Sequence, residues 1–154
     1  MLAIAFYDVV LFVHVLAVVI AFGVTFTYPF LDGLARRNAT ELVALHRFQS
    51  FLTSRLITPA MVVVLLAGIY LTLDRWDFGE PWISGAFAIL IVLFGLVGAV
   101  YAPTERRLLE LAQRDAGTPS EEYERTARKM AVFGSLGSLL VVVAIFVMVA
   151  KPGL

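Results

Sequence analysis

The sequence predicts an all-α membrane protein, a bundle of four transmembrane helices, and two observations carry this prediction. Of the 154 residues, 60% are hydrophobic and 16% are charged, and the mean hydropathy is +0.89; soluble domains are about 45–50% apolar and about 25% charged. The charges are also clustered, so that four stretches of 23, 18, 24 and 21 residues carry none. Because about 20 apolar residues cross a bilayer as a helix, each stretch is long enough, or nearly so, to span one.

Local sequence signals predict where these spans begin and end. Together the spans form a single domain over 1–154. Pro29 and the Asp32–Gly33 pair are turn signals that predict the end of the first span. Asn38 and Glu41 match a capping box and predict that the second helix starts before its span. Pro103 is expected to kink the third helix rather than end it. The predicted spans are 4–30, 56–73, 82–102 and 130–150.

Charged helical segments extend the third and fourth spans into a predicted hairpin. Leu108 and Leu111 share one face of the segment after Pro103, and Arg107 lies on another. Thr118 and Glu121 match a second capping box, at the start of the fourth helix. Ten of the twelve Lys and Arg residues lie in the connections 32–55 and 105–129. The positive-inside rule therefore places this hairpin in the cytoplasm and both termini outside it, in a multi-pass protein of the cell inner (plasma) membrane.

Composition excludes several classes of function. The chain has no cysteine, which excludes disulfides, thiolate nucleophiles and iron–sulfur clusters. Twelve basic and twelve acidic residues balance, so nucleic acid is not a predicted partner. The expected partners are the lipid bilayer and either a second copy of the chain or another membrane protein, since small residues recur at helical spacing. Examples are Ala17 with Ala21, and Gly95 with Gly98 and Ala99.

His14 is the one ionisable side chain deep within a predicted span. Such residues are rare, face the bundle interior and are functional candidates by default. Two interpretations stay open. In the first, a neutral imidazole makes a hydrogen bond to a neighbouring helix. In the second, His14 is an axial haem ligand or a ligand of copper, because neutral imidazole serves both.

Side chains at a similar depth complete a predicted cavity around His14. Counting along the helices from the span centres places Tyr70 about 8 Å and Met148 about 12 Å outward of the midplane, with Asp8 and Lys151 farther out. Met148 would complete a coordination sphere, and Lys151 would neutralise an anionic group such as a propionate. The predicted cofactor-binding residues are thus His14, Tyr70, Met148 and Lys151, with His14 as the metal ligand. Each of the other three also has a structural explanation as an interface anchor, core filler or snorkelling charge.

His46 is predicted to be an ordinary residue of an amphipathic helix at the inner headgroup level. It precedes Leu65, the centre of the second span, by 19 residues, which is about 28 Å of helix. His14 and His46 therefore cannot ligate one metal within a protomer.

Several short motifs stand out along the chain. They are the stretch Phe12–Ala17 around His14, the pairs Pro59–Ala60 and Gly68–Ile69, and the ending Val147–Gly153. Together they resemble a family of bacterial four-pass membrane proteins of unknown function. That family is distantly similar to CopD-type copper-resistance proteins and HemJ-type haem-binding oxidases, and the resemblance makes His14 the inherited ligand position. The HemJ-type pattern also has a basic residue in a later span. The third span here has none, so the resemblance does not carry oxidase activity over.

The leading hypothesis from the sequence is an integral membrane protein that binds b-type haem or copper at His14. The alternative is a non-catalytic scaffold or assembly subunit that works through helix–helix and lipid contacts, and an oligomeric pore is a third hypothesis. Whether the protein is an enzyme stays open at this point.

Overall fold

Four long helices make up nearly all of the structure, a computed structural model that describes residues 5–35, 38–115 and 119–152, without the side chain of Ala39. Each helix is long and apolar enough to cross a membrane, and the described residues contain no strand. The predicted four-span, all-helical architecture is confirmed. The helices are α1 (Phe6–Ala35), α2 (39–75), α3 (Pro81–Asp115) and α4 (Glu121–Ala150).

Side-chain caps start two of the helices. The Asn38 Oδ1 accepts a hydrogen bond from the Thr40 amide at 3.0 Å and begins α2 where the sequence predicts. The Ser120 Oγ accepts one from the Tyr123 amide at 3.2 Å and begins α4. Ser120 thus takes the capping role that was predicted for Thr118, which lies outside the described residues. A proline in the first turn, Pro81, starts α3.

Three helices contain one irregular turn each, and every such turn ends two residues before a proline. A proline has no amide proton, and its ring clashes with the carbonyl four residues earlier. That carbonyl belongs to the middle residue of each irregular turn, so the proline accounts for the local change in helix geometry. The pairs are the 3₁₀ turn Gly23–Thr27 with Pro29, and the π turns Thr53–Ile57 with Pro59 and Val97–Tyr101 with Pro103.

The predicted end of the first helix at Pro29 and Asp32–Gly33 was wrong, because α1 continues to Ala35. Two threonines in the 3₁₀ turn hold the chain helical before the proline. Their hydroxyls donate to backbone carbonyls three residues earlier, at 2.6 and 2.7 Å. The third helix continues through Pro103, as expected.

Contacts at one end of the bundle show that the four helices alternate in direction. The Arg75 guanidinium lies 3.9 Å from the centre of the Tyr7 ring, and the Trp76 indole N–H donates to the Tyr7 hydroxyl at 3.4 Å. The Lys151 ammonium lies 4.4 Å from the Trp76 ring centre and 5.2 Å from that of Trp82. The start of α1, the end of α2, the start of α3 and the end of α4 therefore meet here. We call this the tryptophan end, and we call the opposite end, where α3 connects to α4, the hairpin end.

Small and aliphatic side chains fill the core between the spans. Ala21 and Met61 are fully buried where α1 packs on the second half of α2. Leu93 and Val141 join the same core from α3 and α4. Large apolar side chains such as Leu66 (61% exposed) and Ile91 (66%) cover the outside. A bundle that is apolar inside and outside is suited to lipid.

The hairpin end has a core of its own. Leu108 and Leu111, the face predicted from the sequence, are buried there together with Leu42 of α2 and Tyr123 of α4. The end of α3 packs on the first half of α2 as well as on α4. The hairpin is thus reinforced by a third helix.

Candidate functional site

A cavity of about 380 Å³ lies within the bundle at the tryptophan end, and all four helices line it. Along α1 its wall reaches from Tyr7 to Phe22, which is about 22 Å of helix. Most of the lining is aliphatic or aromatic, with few polar groups. Cofactor and ligand sites have this character and volumes of about 300–1,000 Å³. The cavity therefore suits an apolar or amphipathic molecule.

His14 lines this cavity and has one ring nitrogen without a hydrogen-bond partner. Its Nδ1 lies 3.1 Å from the Val64 carbonyl oxygen. Because a carbonyl only accepts, Nδ1 is the donor, and in the neutral ring Nε2 carries the lone pair. Nε2 is buried and has no hydrogen-bond partner. The bond to a neighbouring helix predicted for His14 is present, and it leaves a second nitrogen for a ligand.

Gly68 lets the His14 ring lie directly against α2. A Cβ atom at this position would stand 3.3 Å from the His14 Cε1 and 3.7 Å from the Phe87 Cζ, and the first of these separations is tighter than ordinary van der Waals contact. Val64, one turn earlier, supplies the carbonyl. One face of α2 therefore sets both the position and the tautomer of the imidazole.

Two tryptophans and a lysine form the polar edge of the cavity. The rings of Trp76 and Trp82 pack edge to face with centres 5.0 Å apart, and the Lys151 ammonium lies over both. The Trp82 Nε1 is buried without a hydrogen-bond partner. No carboxylate of the described residues forms an ion pair with Lys151. A donor and a cation are thus available to an acceptor or anionic group.

The structure brings together some of the predicted site residues and not others. Met148 and Lys151 line the cavity together with His14. Tyr70 is not among its lining residues; its ring packs edge to face on Phe6 with centres 5.4 Å apart. The Asp8 carboxylate accepts from the Ala5 amide at 3.2 Å and caps α1.

Val64, Gly68 and Trp82 belong to the site although they were not predicted from the sequence. The spacing of Val64 and Gly68, four residues apart, places both on one helix face. A glycine on this face, at the same depth in the bundle as His14, was the feature of the sequence that could have identified these residues.

The side chains around His14 differ from the ligands of an ordinary metal site. Among the described residues, no group of three or more His, Cys, Asp or Glu side chains could hold a metal ion. His14 is therefore not part of a cluster of such ligands. A single imidazole suits a metal that brings its own equatorial ligands, as haem iron does, better than a bare copper ion.

The structure corrects the expectation that His46 is an ordinary residue at the headgroup level. It is only 2% exposed, within the core of the hairpin end. Its Nδ1 lies 2.9 Å from the Gln49 Oε1, and its Nε2 lies 2.8 Å from the Tyr123 hydroxyl. The spacing of His46, Gln49 and Thr53 along one helix face was the signal that the sequence offered.

Comparison with known proteins identifies a family. The model of a family described as predicted integral membrane proteins (DUF2269) matches residues 8–152. No curated protein and no solved structure matches the chain. The match covers both histidines and every cavity-lining residue except Tyr7, and it supports a multi-pass membrane protein. The similarity to copper-resistance and haem-binding proteins stays a prediction.

Proposed function

The chain belongs to the DUF2269 family of predicted integral membrane proteins, and we propose that it holds one b-type haem in the cavity at the tryptophan end, with His14 as the axial ligand. The observation that carries the proposal is the buried, unpartnered Nε2 of His14, a residue that lines an apolar cavity. A bound haem would supply one-electron chemistry at its iron.

The residues around His14 prepare it as a ligand. The Val64 carbonyl fixes the proton on Nδ1, and such a bond orients a ligating imidazole and increases its basicity. Gly68 leaves room for the ring beside α2. The polar groups of Lys151 and Trp82 would bind the carboxylates of the haem, and the apolar lining would exclude water from its ring. Met148 is the candidate for a second axial ligand, because it lines the same cavity.

The distribution of basic residues supports an orientation for this site. Ten of the twelve Lys and Arg residues belong to the connections 32–55 and 105–129, on the hairpin side of the spans. By the positive-inside rule the hairpin end is cytoplasmic. The cavity then opens on the outer side of a bacterial inner membrane.

A spectroscopic experiment tests the haem proposal. The protein is produced with haem supplied and purified in detergent, and its absorption spectrum is recorded in the oxidised and reduced states. We expect a Soret band that stays with the protein and shifts on reduction. His14→Ala should abolish the band, while Met148→Leu should keep a band with a changed position.

The second histidine provides the matched control. His46→Asn removes an imidazole that is also buried but lies at the hairpin end, so the folded fraction of this variant should retain the haem band. A spectrum without a Soret band, or a band that survives His14→Ala and is lost in His46→Asn, would overturn the proposal.

A second candidate function is that of a scaffold or assembly subunit that forms homo-oligomers. The observation that favours it lies on α3, where Cβ atoms built at Gly95 and Gly98 meet nothing within 4 Å. Small residues on an open helix face let a second helix approach closely in lipid. Cross-linking in native membranes should then give a dimer that Gly95→Leu abolishes and Gly33→Leu, at another open glycine, leaves intact. Finding only monomer would rule this candidate out.

A further inference from the structure

A second polar site lies toward the hairpin end, away from the haem cavity. Glu105 of α3 is 2% exposed. One of its carboxyl oxygens, Oε1, accepts a hydrogen bond from the Thr53 hydroxyl at 2.9 Å. The other, Oε2, is buried without a partner. The Tyr28 hydroxyl of α1 is also buried without one.

No cation compensates this carboxyl group. Among the described residues, neither Lys nor Arg forms an ion pair with Glu105. Burying an unpaired carboxylate is strongly unfavourable, and the usual outcome is that the group binds a proton. A proton on the carboxyl group removes the charge that the unpartnered Oε2 would otherwise share.

A metal cation fits the site less well than a proton. Hard cations such as Ca²⁺ and Mg²⁺ take six or more oxygen ligands. Here the oxygens without partners are the Glu105 Oε2 and the Tyr28 hydroxyl, since the Thr53 hydroxyl already donates its proton. We propose that Glu105 is a proton-binding site of the bundle, at which a buried carboxyl group held by the Thr53 hydroxyl takes up and releases a proton.

A row of buried polar groups lies along α2 between this site and the hairpin end. His46, Gln49 and Thr53 lie on one face of α2, and each is at most 7% exposed. From His46 to Thr53 the row is about 10 Å long. Since the Gln49 Oε1 accepts from the His46 Nδ1, the neutral ring accepts from the Tyr123 hydroxyl at Nε2. Imidazoles exchange protons near neutral pH, so the row offers Glu105 a route toward the hairpin side.

Titratable side chains that are less than fully exposed lie on the hairpin half of every helix. They include Tyr28 and Asp32 of α1, His46 of α2, Tyr101 of α3 and Tyr123 of α4. Among the residues that the structure describes, the arginine and lysine side chains of these segments are exposed.

Infrared difference spectroscopy on the full chain in liposomes tests the proposal. We expect a carboxylic-acid C=O band at neutral pH that disappears reversibly on raising the pH and is absent from Glu105→Gln. Glu110→Gln, at an exposed carboxylate paired with Arg107, should keep the band. Thr53→Val removes the hydrogen bond to the carbonyl oxygen and should move the band to higher wavenumber.

If Glu105→Gln does not fold, the band position in Thr53→Val still tests the proposal. The proposal is overturned if no acid band exists at neutral pH, or if the band is unmoved in Thr53→Val. A third result would also overturn it: the wild-type protein shows no acid band and is stabilised by Na⁺, whereas Glu105→Gln is not stabilised. Glu105 would then be an ionised ligand of a cation. The haem spectrum is a separate readout, so the two proposals can fail independently.

Discussion

The contact between Gly68 and His14 shows how one missing side chain positions a ligand. Replacing Gly68 by alanine would place a methyl group 3.3 Å from the His14 Cε1. Overpacking of this kind costs on the order of 1–3 kcal/mol. The imidazole would relieve part of this strain by rotating away from the Val64 carbonyl. We expect Gly68→Ala to weaken haem binding about tenfold, which corresponds to about 1.4 kcal/mol, as measured by haem titration. Gly85→Ala, where a Cβ meets nothing within 4 Å, should bind haem as the wild type does.

A second glycine, Gly137, makes room for a tyrosine. The Tyr101 hydroxyl donates to the Phe133 carbonyl at 2.6 Å and lies directly over Gly137, where an added Cβ would overlap it. Gly137→Ala should therefore destabilise the protein by about 1–3 kcal/mol in a detergent unfolding experiment. Gly134→Ala on the same helix should not, since a Cβ there meets nothing within 4 Å. If Tyr101→Phe fails to relieve the cost of Gly137→Ala, the clash is not its cause.

At the scale of helices, the positions of the four spans could be read from the sequence because charge-free length is a property of each segment alone. The contacts between helices could not be read from the sequence in this way. The Thr53–Glu105 bond joins residues 52 positions apart, and forming it depends on two π turns that shift the faces of α2 and α3. The helix end predicted at Pro29 was wrong because a proline signals only a change of helix geometry. Whether the helix ends there depends on which groups satisfy the neighbouring carbonyls.

The π turn before Pro103 offers a direct test of this argument. In Pro103→Ala the amide at 103 could bond to the Ala99 carbonyl, and a regular α-helix would remove the extra residue in the turn. Glu105 would then rotate by about 100° relative to the first half of α3. The chain has no cysteine, so Thr53→Cys and Glu105→Cys can be introduced as a reporter pair. We expect oxidative cross-linking of the pair to be lost on adding Pro103→Ala.

Pro81→Ala is the matched control for that experiment. Pro81 lies in the first turn of α3, where a proline displaces no helical hydrogen bond, so cross-linking should persist. Equal cross-linking with and without Pro103 would show that the proline does not maintain the π turn.

At the scale of the whole molecule, the two ends of the bundle differ in chemistry. The tryptophan end carries aromatic rings with Lys151 and Arg75 stacked on them. The hairpin end carries a packed core of its own and a surface network in which Arg107 and Arg114 both bind Glu122. A bundle with these two ends has a direction in the membrane, and its apolar belt alone does not determine which way it points. The positive-inside rule predicts the direction from the count of basic residues.

Single cysteines on opposite ends test that direction in intact cells. Asp77, in the turn between α2 and α3, and Gln113, near the end of α3, are both exposed. With ten of the twelve basic residues on the hairpin side, Asp77→Cys should react with a membrane-impermeant maleimide in whole cells. Gln113→Cys should react only after permeabilisation. The reverse pattern would place the cavity on the cytoplasmic side, where a haem at His14 would exchange electrons with cytoplasmic rather than external partners. Labelling of both sites in whole cells would mean that the chain does not insert in one orientation.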